Sequence, residues 1–132
     1  MNMQRKIYIN NDLDVVTARM QAREMARQLG FRTADQARIS LAASELARVL
    51  SWNTNAPGEI IMSDTDQNGQ QGMQVTCKVE LKHLATDNDS NQLGEFSGPG
   101  RSLAGAYELV DESIVEEQSN EQALVTLIKW LK

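Results

Sequence analysis

Between Met73 and Lys82 the chain alternates without a break: Met73, Val75, Cys77, Val79 and Leu81 are apolar, while Gln74, Thr76, Lys78, Glu80 and Lys82 are polar. A period of two puts every apolar side chain on one side of a strand, so this segment demands a sheet with one dry face and one wet face. A dry sheet face needs a cover, and the stretch from Thr33 to Asn53 supplies it. There Ile39, Ala42, Ala43, Leu46, Val49 and Leu50 recur at steps of three and four, drawing one apolar stripe along a helix. Thr33 followed by Gln36 has the spacing of a capping box and sets the expected start. Glu45 stands at the border of the stripe, one turn before Val49, a carboxylate where chemistry could use one.

The remaining segments fall around this pair. Arg5 to Asn10 alternates polar with apolar and reads as a first strand, and Asn10, Asn11 and Asp12 supply turn and cap chemistry. A first helix then starts near Asp12 to Asp14, with Val15, Ala18, Ala22, Met25 and Leu29 as its apolar line. Arg19, Arg23, Glu24 and Arg27 face away from that line, and Gly30 closes the helix as a left-handed cap. After the second helix, Asn53, Asn55, Pro57 and Gly58 form a break. Glu59 to Met62 begins a strand, and the polar stretch Ser63 to Gly72 reads as the loop of a hairpin leading into the alternating strand. His83 to Phe96 is polar and without period, the pattern of a connection or lid. Ser97 to Ser102 reads as a glycine-bearing turn into a third helix over Leu103 to Val110. Two final strands, Ser113 to Glu117 and Ala123 to Leu131, are joined by a turn at Gln118 to Glu121. The order β-α-α-β-β-α-β-β predicts an α+β fold, a two-layer α/β sandwich with a mixed, mostly antiparallel sheet and its helices on one face.

The totals bound what such a fold can do. With 132 residues and 41% hydrophobic content, one domain with a proper core is expected and two are not. Eighteen acidic against thirteen basic side chains give a net charge of -5, and the basic residues are dispersed, so neither nucleic acid nor an anionic membrane is favoured as a partner. Cys77 is the single cysteine and has no disulfide partner in the chain. His83 is the single histidine, so no histidine-based metal cluster forms around it. No apolar run approaches the ~20 residues of a membrane-spanning helix, and no signal-like start is present, so a cytoplasmic location is expected. Cys77, on the apolar side of its strand, reads as a small core residue. Trp52 and Trp130 are explained by packing as well as by stacking on a ligand. The arginines of the first helix at four-residue spacing form a charged face suited to an acidic partner. No exposed hydrophobic stripe singles out a dimer interface.

The order of elements, the phrase Ala42-Ala43-Ser44-Glu45-Leu46-Ala47-Arg48, the Gly98 to Gly105 turn-helix and the ending Leu127-Ile128-Lys129-Trp130-Leu131 resemble the small serine-protein kinases and anti-sigma factors of the GHKL (Bergerat-fold) ATPase superfamily. The resemblance runs from about Asp14 onward and implies a single histidine-kinase-like ATPase domain of the switch-kinase type. Members of that type bind and phosphorylate a STAS-domain antagonist and regulate a sigma factor or a phosphatase. It implies Glu45 as general base, with an Asn four residues later helping to hold the magnesium that bridges the ATP phosphates. Valine stands at that position, Val49, and has no lone pair for a hard cation. It also implies an Asp followed by glycines at the end of the central strand, to accept from the adenine amino group. The matching positions, Val79 to Leu84, contain neither Asp nor Gly, and an unpaired buried adenine edge costs ~1–3 kcal/mol. The glycine-rich phosphate loop survives in part, with Gly98, Gly100 and Gly105 matching, Pro99 removing an N–H donor and Arg101 in a place the family keeps small.

The function expected from this pattern is a degenerate switch kinase that regulates by protein binding, with weak or no ATP binding. Its partner would be a STAS-domain antagonist, a sigma factor or a regulatory phosphatase or kinase, held through the first two helices by Arg19, Arg23, Arg27 and Arg48. Two alternatives stand beside it. One is an active Mg-ATP-dependent serine/threonine kinase using Glu45 and the Gly98 to Gly105 loop. The other is a pocket for a different anionic ligand, paired by Arg101. Homodimerisation occurs among relatives in the family.

Overall fold

In a computed structural model, residues 3–52, 57–80, 99–119 and 121–131 are described, the first four of helix 99–108 by their backbone alone. Five strands and three helices account for most of them: β1 (Gln4–Ile9), α1 (Asp12–Leu29), α2 (Thr33–Leu50), β2 (Gly58–Gln67), β3 (Gln70–Glu80), α3 (Pro99–Glu108), β4 (Glu112–Glu117) and β5 (Gln122–Trp130). The strands form one sheet in the order β1-β2-β3-β5-β4, and each neighbouring pair is antiparallel. This is the two-layer α+β architecture expected from the element order.

Local chemistry explains where the helices begin and end. At α1 the Asn11 side chain accepts from the Leu13 and Asp14 amides at 2.9 and 3.2 Å, and the Asp14 carboxylate accepts from the Asn11 amide at 3.3 Å. This reciprocal box satisfies N–H groups that have no partner within the helix. Gly30 closes α1 at φ 97, a left-handed angle that favours glycine. At α2 the start is as expected but the cap is not. Thr33 is already helical, Arg32 is the capping residue without a side-chain bond, and Gln36 Nε2 instead donates 2.8 Å back to the Phe31 carbonyl. Because α1 and α2 are joined by only three residues, the connecting backbone itself lies within reach of Gln36, which the Thr33–Gln36 spacing alone did not convey.

Two expected boundaries are corrected. The stretch Ser63 to Gly72 is not a long loop: β2 continues to Gln67, β3 starts at Gln70, and only Asn68 and Gly69 turn the chain. Both have positive φ, 56 and 83, the geometry of the two-residue hairpin turns that Asn-Gly adopts most readily. Gly69 N–H also donates to the Asp66 carboxylate at 3.2 Å. Likewise the turn read through Ser102 is helix from Pro99 onward, because proline in the first helical turn removes an N–H that would have had no partner. The segment His83 to Phe96, Gly98 and the end of the alternating pattern at Leu81 lie outside the described residues.

The core lies between the layers. Met73, Val75, Cys77 and Val79 of β3 meet Ile60 and Met62 of β2 and Val125 and Leu127 of β5, beneath Ile39, Ala42, Ala43, Leu46, Val49 and Leu50 of α2. α2 packs between α1 and α3. The buried positions of α1 and α2 are rich in alanine (Ala18, Ala22, Ala26; Ala42, Ala43, Ala47), and short side chains let helices approach closely. None of the described helices is long and apolar enough to cross a membrane.

At the far end of β5 a buried cation fastens three elements. Lys129 Nζ lies 3.2 Å from Asp111 and 3.7 Å from Asp35 in the first turn of α2, while Asp111 accepts the Trp130 amide at 2.7 Å. A lysine so deeply buried is tolerated only when paired in this way. Beside it, Trp130 lies close against Gly72 and donates its indole N–H to Glu112. A Cβ at Gly72 would sit 2.6 Å from the Lys129 carbonyl oxygen and 2.8 Å from the Trp130 ring. Gly72→Ala is therefore expected to lower stability by ~1–3 kcal/mol through overpacking, read as a shift of the urea midpoint. An unchanged midpoint would contradict the close approach of β3 and β5 at this position.

Candidate functional site

Of the residues marked out by the sequence, Glu45, Arg48 and Val49 lie on the C-terminal half of α2, and α3 packs against α2. Glu45 lies where the apolar stripe meets solvent, its side chain 22% exposed. Both of its oxygens accept from Arg48 Nη1 at 2.8 Å, so the carboxylate is held by a guanidinium one turn along its own helix. Such a pair on a helix surface contributes little to stability, but it fixes where the carboxylate points and neutralises it locally. Val49, the next residue on this face, is 0% exposed and belongs to the core. Its neighbour Leu50 lies directly against β2, so near that a Cβ at Gly58 would come within 2.7 Å of it. Carbon therefore fills the space beneath the last turn of α2.

At the end of β3, Val79 is fully buried among the helix-facing residues, and Glu80 is on the opposite face, paired in register with Gln122. Among the described residues, no carboxylate of β3 projects under α2 from this end. Val49, where the resemblance expects an oxygen ligand for magnesium, is packed into the core; of Val79 to Leu84, where it expects an acceptor for adenine, only Val79 and Glu80 are described, and Val79 too is packed into the core. A hard magnesium ion requires oxygen donors in near-octahedral order, and the valine side chains offer none. Among the described residues, no three of His, Cys, Asp and Glu come together in a way that could hold a metal ion.

Of the glycine motif, Gly98 and the side chain of Arg101 lie outside the described residues. Gly100 is in the first turn of α3. Gly105 is within the helix, and nothing among the described residues approaches within 4 Å of where its Cβ would be. Arg19, Arg23 and Arg27 are exposed on α1, apart from Glu45 in sequence and element. Arg27 is hydrogen-bonded to Glu24, whose carboxyl it holds below the ordinary value. Arg19 and Arg23 have no ion-pair partner among the described residues. Arg48 turns to Glu45 instead.

Two features escaped the sequence. The first is a hydrophobic stripe on the outer side of α1: Leu13 is 73% exposed, Met20 64%, and Val16 lies between them. From the sequence, no exposed hydrophobic stripe singles out a dimer interface, and this one was not noted. The signal was present as spacing, since Leu13, Val16, Met20, Arg23 and Arg27 follow alternating steps of three and four along one side of the helix. It was hidden because the buried line of α1 accounts for the more evident periodicity. The second is a cavity of about 340 Å³ lined by Met3, Leu29, Phe31, Asp64, Asp66 and Leu131 among others. It lies at the hairpin end of the sheet, whereas Glu45 and the end of β3 lie toward the other. Cys77 is buried as expected. Burial pushes its thiol up from 9.0 to about 12, so it remains protonated, and folding stability falls as pH rises through that interval.

Compared with known proteins, the chain is 31% identical to the serine/threonine-protein kinase RsbT of Bacillus subtilis (strain 168) over 138 aligned positions, covering all of both chains. No protein-family model matches it.

The burial of Val49 makes a direct prediction. Val49→Asn places an amide in the hydrophobic core and is expected to lower stability by ~1–3 kcal/mol in urea denaturation. Unchanged stability together with a new magnesium-dependent thermal shift in ATP would contradict this geometry.

Proposed function

The chain belongs to the family of the Bacillus subtilis serine/threonine-protein kinase RsbT, and on that footing we propose that it is a regulator of partner-switching signalling that works by binding proteins. It resembles the anti-sigma factors and switch serine kinases of the GHKL type, and it holds its partner stoichiometrically, with weak or no ATP binding. The partner is a STAS-domain antagonist, a sigma factor, or a regulatory phosphatase or kinase of the same switch.

The observation that carries this reading is the burial of Val49 at 0% exposure, one turn beyond Glu45. A position that would need a lone pair instead contributes to the core, and Val79 does the same at the end of β3. Each substitution weakens a different end of a bound nucleotide, so their joint effect exceeds that of either alone. What remains accessible is surface. The outer side of α1, with Leu13, Val16 and Met20 beside Arg19 and Arg23, has the mixture of apolar area and charge that supports a protein interface.

A second reading has its own support. RsbT is a serine/threonine-protein kinase, and Glu45, the general base the resemblance implies, has part of its side chain reachable from solvent. Here Glu45 would release Arg48 and act as general base toward a serine hydroxyl of a STAS-domain protein.

The two readings separate in a transfer assay. The purified chain is mixed with a STAS-domain protein from the same genome and γ-labelled Mg-ATP, and both complex formation and label are followed. The binding reading predicts a complex that forms equally with and without nucleotide and no label on the STAS protein above the level of a Glu45→Ala control. Label that accumulates and is lost in Glu45→Ala would replace it with the kinase reading.

A further inference from the structure

We propose that this chain associates head to tail with copies of itself, the outer side of α1 of one copy resting on β4 of the next. The inference goes beyond the partner-binding reading and does not depend on it. The sheet order sets the geometry. β1, with α1 packed on it, is at one edge of the sheet, and β4 is at the other, so the two surfaces cannot meet within one chain.

Each surface offers what the other lacks. On α1, Leu13, Val16 and Met20 form an exposed apolar line, flanked by Arg19 and Arg23, which have no ion-pair partner among the described residues. On β4, Ile114 is 41% exposed. Beside it on the same face stand Glu112 and Glu116, and no lysine or arginine occurs between Tyr107 and Glu121. Glu112, Ile114 and Glu116 pair in register with Ile128, Thr126 and Leu124, so all three lie on the sheet face that carries no helix. That face is open to a helix from outside. The chain as a whole is acidic, at -5, yet the exposed charge on the outer side of α1 is mainly basic, which leaves the molecule with opposite signs at opposite edges.

Symmetric pairings fail on charge. Two α1 faces would bring Arg19 and Arg23 against their own copies, and two β4 edges would bring glutamates against glutamates. The same glutamates guard the free edge of β4 against strand-to-strand addition. Only α1 on β4 joins apolar to apolar and positive to negative. Such a contact is heterologous: it leaves a free α1 face at one end and a free β4 at the other, so it propagates or closes into a ring. An α1 face covered by a copy is also withheld from any other protein, which makes self-association a competitor of partner binding.

Sedimentation of the full chain tests this. From ~10 μM to ~1 mM at low salt, the mean mass of the wild type is expected to rise with concentration and to fall again at ~1 M salt, where exposed charges are screened. Arg23→Glu and Glu116→Arg are each expected to remain monomeric, with the apparent Kd raised on the order of tenfold or more. An equimolar mixture of the two variants is expected to associate again, because the carboxylate introduced on α1 of one variant meets the guanidinium introduced on β4 of the other. Both positions are exposed, and circular dichroism verifies that each variant is folded. A wild type that stays monomeric throughout, a Glu116→Arg variant that associates as the wild type does, or a mixture that stays monomeric would each overturn the proposal.

Discussion

The seating of α2 on the sheet is the constraint from which the rest of this molecule follows. One helix face has to cover β2 and β3 at once, and Ile39, Leu46, Val49 and Leu50 are buried doing so. Core residues of this kind are worth ~2–5 kcal/mol each against truncation, a large part of the stability of any small domain. A side chain committed to that role cannot also present a lone pair to a ligand. At Val49, where the resemblance implies a ligand to magnesium, packing takes the position. Glu45, one turn earlier and at the rim, keeps a carboxylate that its own helix neutralises through Arg48.

The fold was legible where a single period governed a long segment. The alternation from Met73 to Lys82 and the stripe from Ile39 to Leu50 each bury one face, and burial enforces the period over many residues. Legibility failed where a short local preference outweighed composition. Ser63 to Gly72 is polar enough to suggest a loop, but Asn68-Gly69 turns the chain in two residues and lets both strands continue. At Thr33 the capping spacing was present, yet the neighbouring Phe31 carbonyl offered Gln36 another acceptor. The candidate site was legible in part for a similar reason. The i, i+4 relation of Glu45 and Val49 and the i, i+3 pairing of Glu45 with Arg48 follow from helix geometry alone, whereas the exposure of Leu13 and Met20 depends on how α1 is oriented in the whole fold.

Kinship over the full length with a serine/threonine-protein kinase, alongside a core that has absorbed Val49 and Val79, places activity and binding in tension within one scaffold. A division of labour between faces resolves it. The inner faces of α1 and α2 and the sheet maintain the fold, while the outer side of α1 and β4 carry exposed apolar and charged groups. Regulation by such a molecule rests on which surface is covered and by what.

Calorimetric titration of the purified chain with ATP, with and without magnesium, asks directly whether packing has displaced nucleotide binding. A ligand at ~100 times its dissociation constant would stabilise the fold by about 2.7 kcal/mol, so a thermal-shift measurement on the same samples provides a matched check. With Val49 and Val79 committed to the core, no heat of binding is expected up to millimolar ATP, and no magnesium-dependent shift of the melting temperature. Saturable binding that strengthens with magnesium would contradict this, since the pocket would then have found oxygen ligands that Val49 and Val79 do not supply.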